Sequence, residues 1–457
     1  MKIKEGILRK ILYWYLLISP VVDMLTSLAV RAGMTALTMG VLVRVGFVGA
    51  VFFYVMFLYE GKHKTMLRVA MLVTSVYGIL YLLNTVSVNG TGVLIENAKM
   101  FVKVYYFVYV LLGLYAIYEQ HGILVSDKML TVVFGVYTTS IFLAAVTNTS
   151  FSTYELLNIG YCGWFYAGNE IGAIVAILSG VALMYGFTHP KFLWIAVVGL
   201  LAFSSTYIGT KVPFLAIVVI AIVLLLVWLV KFLSRKEKRA MPQMAKCAAL
   251  LLCILVLYQA GSPIQQNTMV VGDNYQDVLE EIEPDDPNDP EDGEEAEDNQ
   301  FFVFANWLLS GRLYNVQNVF ERYGNGSWTE KLFGIGYTFM IDGKWKSNVV
   351  EMDFISIFLK HGIVGFCVFV APLIYFAVLC AIKLFKQLKL FWELEPAFVY
   401  LYATIIGLGC AFLAGHVLVA PAVSIYIAIC TVKAYAYLTN RDIAEGNEEQ
   451  WIKKRLV

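Results

Sequence analysis

Twelve apolar runs, each close to 20 residues long, constrain this chain more than any other feature. A helix of about 20 residues covers the hydrocarbon thickness of a bilayer. The runs fall near 9–30, 40–59, 66–87, 100–118, 128–147, 170–187, 191–209, 212–233, 244–261, 362–384, 396–415 and 418–438. In hydrocarbon every backbone N–H and C=O must be bonded within the protein, so open runs of this length predict helices. The expected fold class is therefore all-α: a polytopic integral membrane protein with about twelve transmembrane helices. Composition agrees, with 59% of 457 residues hydrophobic and only 15% charged, against about a quarter charged in ordinary soluble domains. The opening MKIKEGILRK leads into the first run without a small-residue cleavage site, which reads as a retained helix and not a removed signal.

Charge then divides the chain. Fourteen of the 34 carboxylates lie between Asp273 and Asp298, so the formal neutrality hides a basic remainder. Basic residues collect at 2–10, 62–68, 231–246, 383–389 and in the tail WIKKR, and none occurs between Lys246 and Arg312. By the positive-inside rule both termini are expected in the cytoplasm and the 262–361 segment outside. The organisation is then helices 1–9 over 1–261, an extracytoplasmic loop over 262–361 between helices 9 and 10, helices 10–12 over 362–438, and a cytoplasmic tail over 439–457. Within the loop, 273–298 is Pro-interrupted and has almost nothing to bury, which predicts disorder. The remainder, 301–361, is the candidate site segment. No internal repeat is visible. Six of the seven cysteines lie in apolar runs without CxxC spacing, so neither a disulfide framework nor a metal centre is expected, and no cofactor.

Several charges sit where a membrane penalises them by roughly 2.5–3.5 kcal/mol at mid-depth. Asp23, Arg44 and Lys103 fall toward the outer ends of helices 1, 2 and 4, and Lys211 lies in the short outer turn between helices 7 and 8. Together they suggest an electropositive pocket opening to the outer leaflet, with Asp23 neutralising Arg44. Snorkelling to the interface is the plainer reading for Arg44 or Lys103 taken singly.

In the site segment, Arg312 follows a Ser-Gly turn and starts a run in which Leu313, Val316, Phe320 and Tyr323 recur at helical spacing. That helix is expected to lie on the bilayer, with Arg312 and Arg322 able to fork onto phosphate oxygens or anchor to headgroups. Glu351 and Asp353 are read as the start of the helix that runs straight into span 10. There they lie about 200° apart, which argues against a paired-carboxylate site. Glu351, sharing a face with Phe354, Ile355 and Phe358, is the candidate general base through desolvation. Asp353 can merely complement the helix N-terminus, and its Asn substitution is expected to affect activity less than Glu351→Gln. Gly334 and Gly336 read as a tight turn more than a phosphate loop. His361 and His416 are isolated and read as packed or headgroup-facing.

The order SGR, an FGIGY turn, and an acidic residue eleven positions before GIVG resembles the O-antigen ligase and Wzy-type polysaccharide polymerase superfamily. SPVVDMLTSL in helix 1, GNEIGAI from Gly168 and STYIGTKVPFLA from Ser205 are similar to further motifs of it, the second drawing in Asn169 as a supporting residue. The resemblance implies a GT-C-like membrane glycosyltransferase in a bacterial cytoplasmic membrane. It implies transfer of an undecaprenyl-pyrophosphate-linked glycan to a glycan acceptor hydroxyl, metal-independent and inverting, as in capsule, exopolysaccharide or O-antigen synthesis. By it Lys211 and Arg312, helped by Arg322, hold the pyrophosphate and Glu351 takes the proton. Asp23, Arg44, Lys103, Asn169 and Asp353 support them. Lys211 and Glu351 replace the Arg and His of ligases and favour a Gram-positive-like polymerase branch. The implied partners are the lipid-linked donor, the acceptor, membrane lipids and chain-length regulator proteins, with no nucleic acid. A ligase, or a flippase of lipid-linked oligosaccharide, remains the alternative. A flippase usually has related halves and short loops. Trp307, Tyr337 and Trp345 are candidates for stacking on sugars or for anchoring at the interface.

A cysteine-accessibility map checks the orientation. Positions in 273–298 and 324–348 are expected to label from outside intact cells, and positions in 234–243 only after permeabilisation. Labelling of 273–298 from the cytoplasmic side overturns it.

Overall fold

A helix covers each of the twelve apolar runs. The computed structural model describes residues 5–34, 38–189, 192–270, 312–341, 344–347, 350–386 and 395–439. The acidic stretch 273–298, Trp307 and the tail from 440 lie outside the described residues. The helices are α1 (Glu5–Arg31), α2 (Met39–Phe53, continued by a π turn Tyr54–Leu58), α3 (Lys64–Asn89), α4 (Leu94–His121), α5 (Asp127–Val146), α6 (Gly168–Thr188), α7 (Leu193–Tyr207), α8 (Lys211–Arg235), α9 (Ala240–Gln259), α10 (Arg312–Gly324), α11 (Trp328–Phe333), α12 (Asp353–Lys386), α13 (Glu395–Leu413) and α14 (Pro421–Thr439). Among the described residues ten helices are long and apolar enough to cross a membrane, and two apolar ones, Leu193–Tyr207 and Ala397–Leu413, are shorter. The chain is an all-α polytopic membrane protein.

Two small hairpins supplement the helices. β1 (Phe151–Tyr154) pairs antiparallel with β2 (Ile159–Gly163), and β3 (Thr338–Ile341) with β4 (Lys344–Ser347). The second follows the Gly334–Gly336 stretch.

The centre of the bundle is α4, α6 and α14, each with 83% of its apolar window buried, against 22–56% for the other spanning helices. Small residues let these helices approach, as in membrane bundles generally. Gly180 of α6 faces Ile220 of α8 and Val399 of α13, and Gly407 of α13 faces Ile427 of α14. At one end Lys433 of α14 donates to Val125 O at 2.6 Å and pairs with the Asp127 carboxylate, which also accepts from Tyr400. Both charges are almost fully buried, at 2% and 5% exposure.

The opposite end gathers the hairpin β1–β2, the turn 208–210, the segment before α12 and the turn 414–420; it is the loop end. Thr153 Oγ1 donates to Ile208 O at 2.7 Å, Asn267 Nδ2 donates to Gly209 O at 3.0 Å, and Arg31 pairs with Glu155 at 2.8 Å.

The run-in to the tenth apolar segment is not one straight helix. At Gly362 the backbone turns to φ 67°, ψ −177° and breaks α12. The strand-like stretch after α11 docks on the break: Ile335 N–H donates to Leu359 O at 3.3 Å and Gly336 N–H to Lys360 O at 3.1 Å. Tyr77 and Tyr105 donate to His361 O and Gly365 O, each at 2.8 Å. Gly334 and Gly336, at φ 96° and 74°, have the turn role read from the sequence. Contact with the Lys360 carbonyl leaves no room for a side chain at 334.

Helix α10 packs through Val316, Val319 and Tyr323. Phe320, expected on that face, is 57% exposed. The face meets Ile335, Val350, Met352 and Leu359, a small core outside the main one, and not only a bilayer surface.

Removing one member of a buried ion pair strands the other and costs about 3–5 kcal/mol, whereas removing both costs less. Asp127→Asn and Lys433→Met are each expected to lower the unfolding temperature of the detergent-solubilised protein, and the double variant to be no worse than the more damaging single. Additive losses would contradict the coupling.

Candidate functional site at the loop end

Two chain segments 60 residues apart clasp one another at the loop end. Asp353, the first residue of α12, is fully buried and accepts three backbone N–H groups. They come from His416 at 2.8 Å, Val417 at 2.8 Å and Leu418 at 2.6 Å. A carboxylate holding three donors is a strong, charge-assisted fastening. Next to it, the Glu351 carbonyl packs so tightly on Gly415 that a Cβ there would lie 1.4 Å from the oxygen, and Gly415 has φ 69°. His416 follows, also left-handed at φ 56°.

This corrects the sequence reading of both carboxylates. Asp353 does more than complement a helix terminus: it faces inward and ties α12 to the turn before α14. Glu351 is not in the helix, and so does not share a face with Phe354, Ile355 and Phe358. It lies in the bend before α12, half-buried, between the buried Val350 and Met352. Its backbone packs against Gly415 of the turn before α14. Its candidacy as a base therefore rests on placement, not on an apolar helix face.

The cations distribute unevenly. Arg44 of α2 pairs with Asp23 of α1, with side-chain exposures of 16% and 10%, and Asp23 also accepts from Tyr137 at 2.7 Å. Lys103 of α4 lines a cavity of about 210 Å³ with Arg44. Glu170, in the first turn of α6, lies within electrostatic reach of His416, Lys103, Arg44 and Asp23. Asn169, beside it, is half-buried. Gly172, one turn on, packs on Thr210, which immediately precedes Lys211 at the start of α8. A lysine at a helix N-terminus adds its charge to the positive end of the helix dipole.

Arg322 is drawn to Glu330 at 3.7 Å, whose carboxylate caps α11 by accepting from Ser327 N–H at 2.8 Å. Its position thus serves the fold of the segment. Arg312 begins α10 in the backbone, and its side chain lies outside the described residues, as does that of Trp345. Tyr337 is buried and donates its N–H to Asn97 Oδ1 at 2.8 Å. Burial pushes its phenol up, so it stays neutral. It packs on His361 within the fold, at 5.5 Å between ring centroids, and is no exposed stacking platform.

Two residues at this end were missed. Glu170 stands inside the quoted GNEIGAI stretch but carries no spacing signal of its own. His416 looked isolated because its neighbours are distant in sequence.

Nearly the whole chain, residues 5–441, matches the family described as O-antigen ligase like membrane protein. The chain belongs to that family. As a member of the O-antigen ligase like family it is a membrane glycan-processing enzyme of glycosyltransferase type, with lipid-linked glycans as the implied substrates. No match was found among curated proteins.

Asn in place of Asp353 keeps one acceptor oxygen and turns an N–H₂ toward backbone donors. Asp353→Asn is therefore expected to cost about 2–4 kcal/mol of stability, measured as a lower unfolding temperature and poorer yield. Gly415→Ala is expected to shift Glu351 and lower activity more than yield. Near-normal behaviour of both variants would refute the clasp.

Proposed function

We propose that this protein is a polysaccharide polymerase that transfers an oligosaccharide from a polyprenyl pyrophosphate carrier to an acceptor sugar hydroxyl, on the outer face of a bacterial cytoplasmic membrane. The observation that carries the reading is the placement of Glu351. It is fastened by the Asp353 clasp and the Gly415 contact at the end of the bundle where Glu170 opens α6 and Lys211 opens α8. A pre-positioned carboxylate at an end that also bears a cation suits an acceptor hydroxyl and a charged leaving group.

In this mechanism the acceptor oxygen attacks the anomeric carbon of the donor sugar and Glu351 takes the hydroxyl proton. The carbon–oxygen bond to the pyrophosphate breaks with its electron pair, and the released polyprenyl pyrophosphate keeps the added charge. Attack opposite to the leaving group inverts the anomeric centre. Lys211 and Arg312 hold the pyrophosphate, whose oxygens gain charge as the bond lengthens. Pyrophosphate is already a good leaving group, so the protein's main tasks are holding it, positioning the acceptor and removing the proton. The Glu at 351 and Lys at 211 favour polymerase over ligase chemistry.

The test is extension of a purified lipid-linked repeat unit by the detergent-solubilised protein with EDTA present. Glu351→Gln is expected to reduce turnover by ~10²–10⁴ while leaving donor binding intact. Lys211→Ala is expected to weaken donor binding and turnover together, because its partner is charged throughout the reaction. Full activity of Glu351→Gln, or a strict need for a divalent ion, overturns the assignment.

A further inference from the structure

The cavity between α2 and α4 has a composition that the transfer reaction does not use. Its charged wall carries Arg44, Lys99 and Lys103 and no carboxylate. The balancing groups lie behind that wall: Asp23 pairs with Arg44, Glu96 pairs with Lys99 at 3.2 Å, and Glu170 acts on Lys103 electrostatically. Among the described residues no hydrogen-bond or ion-pair partner is seen for the Lys103 ammonium. Three cations that face one space, one of them without a bonded acceptor, call for an anion.

Apart from Tyr106, whose hydroxyl is hydrogen-bonded to that of Tyr15 at 2.7 Å, the rest of the lining is hydrocarbon. Val41 and Val45 of α2 and Ala98 and Val102 of α4 form the sides, and Pro421 of α14 closes one edge. Val45 is 45% exposed on a helix whose neighbouring Leu42 is 51% exposed, so the cavity meets the lipid-facing surface of the bundle. Its volume, about 210 Å³, matches roughly seven waters at about 30 Å³ each. That exceeds a packing defect and is too small for an oligosaccharide. A phosphate group with the first carbons of its chain fits both the size and the division into a cationic and an apolar wall.

We propose that this cavity is a lipid-phosphate site, distinct from Glu351, Lys211 and Arg312, which act on the transferred group. It seats the anionic head of a membrane amphiphile with the hydrocarbon passing out along Val41 and Val45. Two sources share this chemistry, a polyprenyl phosphate and an anionic glycerophospholipid. Only the first of these rests on the transfer reading above.

Thermal-shift titration of the full-length detergent-solubilised protein tests it. The probes are farnesyl phosphate, short-chain phosphatidylglycerol and, as uncharged control, farnesol. At least one of the two phosphates is expected to raise the unfolding temperature where farnesol does not. Stabilisation by farnesyl phosphate alone identifies a polyprenyl carrier, and stabilisation by phosphatidylglycerol identifies a headgroup site. Lys103→Met, which keeps the volume of the side chain and removes its charge, is expected to weaken the effective phosphate at least 10-fold, and Lys103→Arg to restore it. Val45→Trp, on the lipid-facing rim, is expected to block binding without touching a charge. Glu351→Gln is expected to bind as the unaltered protein does, so a failed transfer mechanism and a failed lipid site give different results. Equal stabilisation by farnesol, no stabilisation by either phosphate, or unchanged binding in both Lys103→Met and Val45→Trp overturns the proposal.

Discussion

A helix broken inside an apolar bundle must have its freed backbone groups bonded by other parts of the protein, and the loop end is organised by that requirement. The turn at Gly362 strands carbonyls that no water can reach. Ile335 and Gly336 donate to two of them and Tyr77 covers a third, while Tyr105 donates to the Gly365 carbonyl just past the break. The same stretch is tied to the bundle by Asn84 Nδ2, which donates to Gly334 O at 3.0 Å, and by Asn97, which accepts from Tyr337. The segment outside the spans is thereby anchored to α3, α4 and α12 at once. Through the small core of Val319, Ile335, Val350 and Met352, that anchoring reaches the residues on either side of Glu351.

What could be read from sequence divides along the range of the interaction. Hydropathy reports each helix from its own residues, so all twelve apolar runs have helices over them. The glycines at 334 and 336 signal a turn by their local freedom. The clasp is different in kind, because Asp353 is satisfied by N–H groups more than 60 residues later, and nothing near either segment announces the other. Periodicity assigned Glu351 to a helix that begins two residues later, and Phe320 to a face that Val319 occupies. The Asp23–Arg44 pair was legible because each charge, alone in an apolar run, needed a partner that only a few residues could provide.

The charges at the loop end show a graded use of burial. Arg44 and Asp23 neutralise one another and fix α1 against α2, with Tyr137 of α5 as a third support. Lys103 is half-buried and lines the cavity between α2 and α4. Holding Arg44 in a structural pair while Lys103 lines a cavity lets that end of the bundle carry positive charge without stranding it in the fold.

The buried Lys433 bears on how such a chain is made. Helix α14 carries the lowest hydropathy of the ten spanning helices, 1.4, and its lysine is matched by Asp127 from a helix synthesised 306 residues earlier. Released alone into lipid, α14 would hold an unmatched charge, and until it arrives Asp127 lacks its cation. Seating α14 against α4 and α6 therefore brings the two charges together, so burial of the helix and neutralisation of its lysine are coupled.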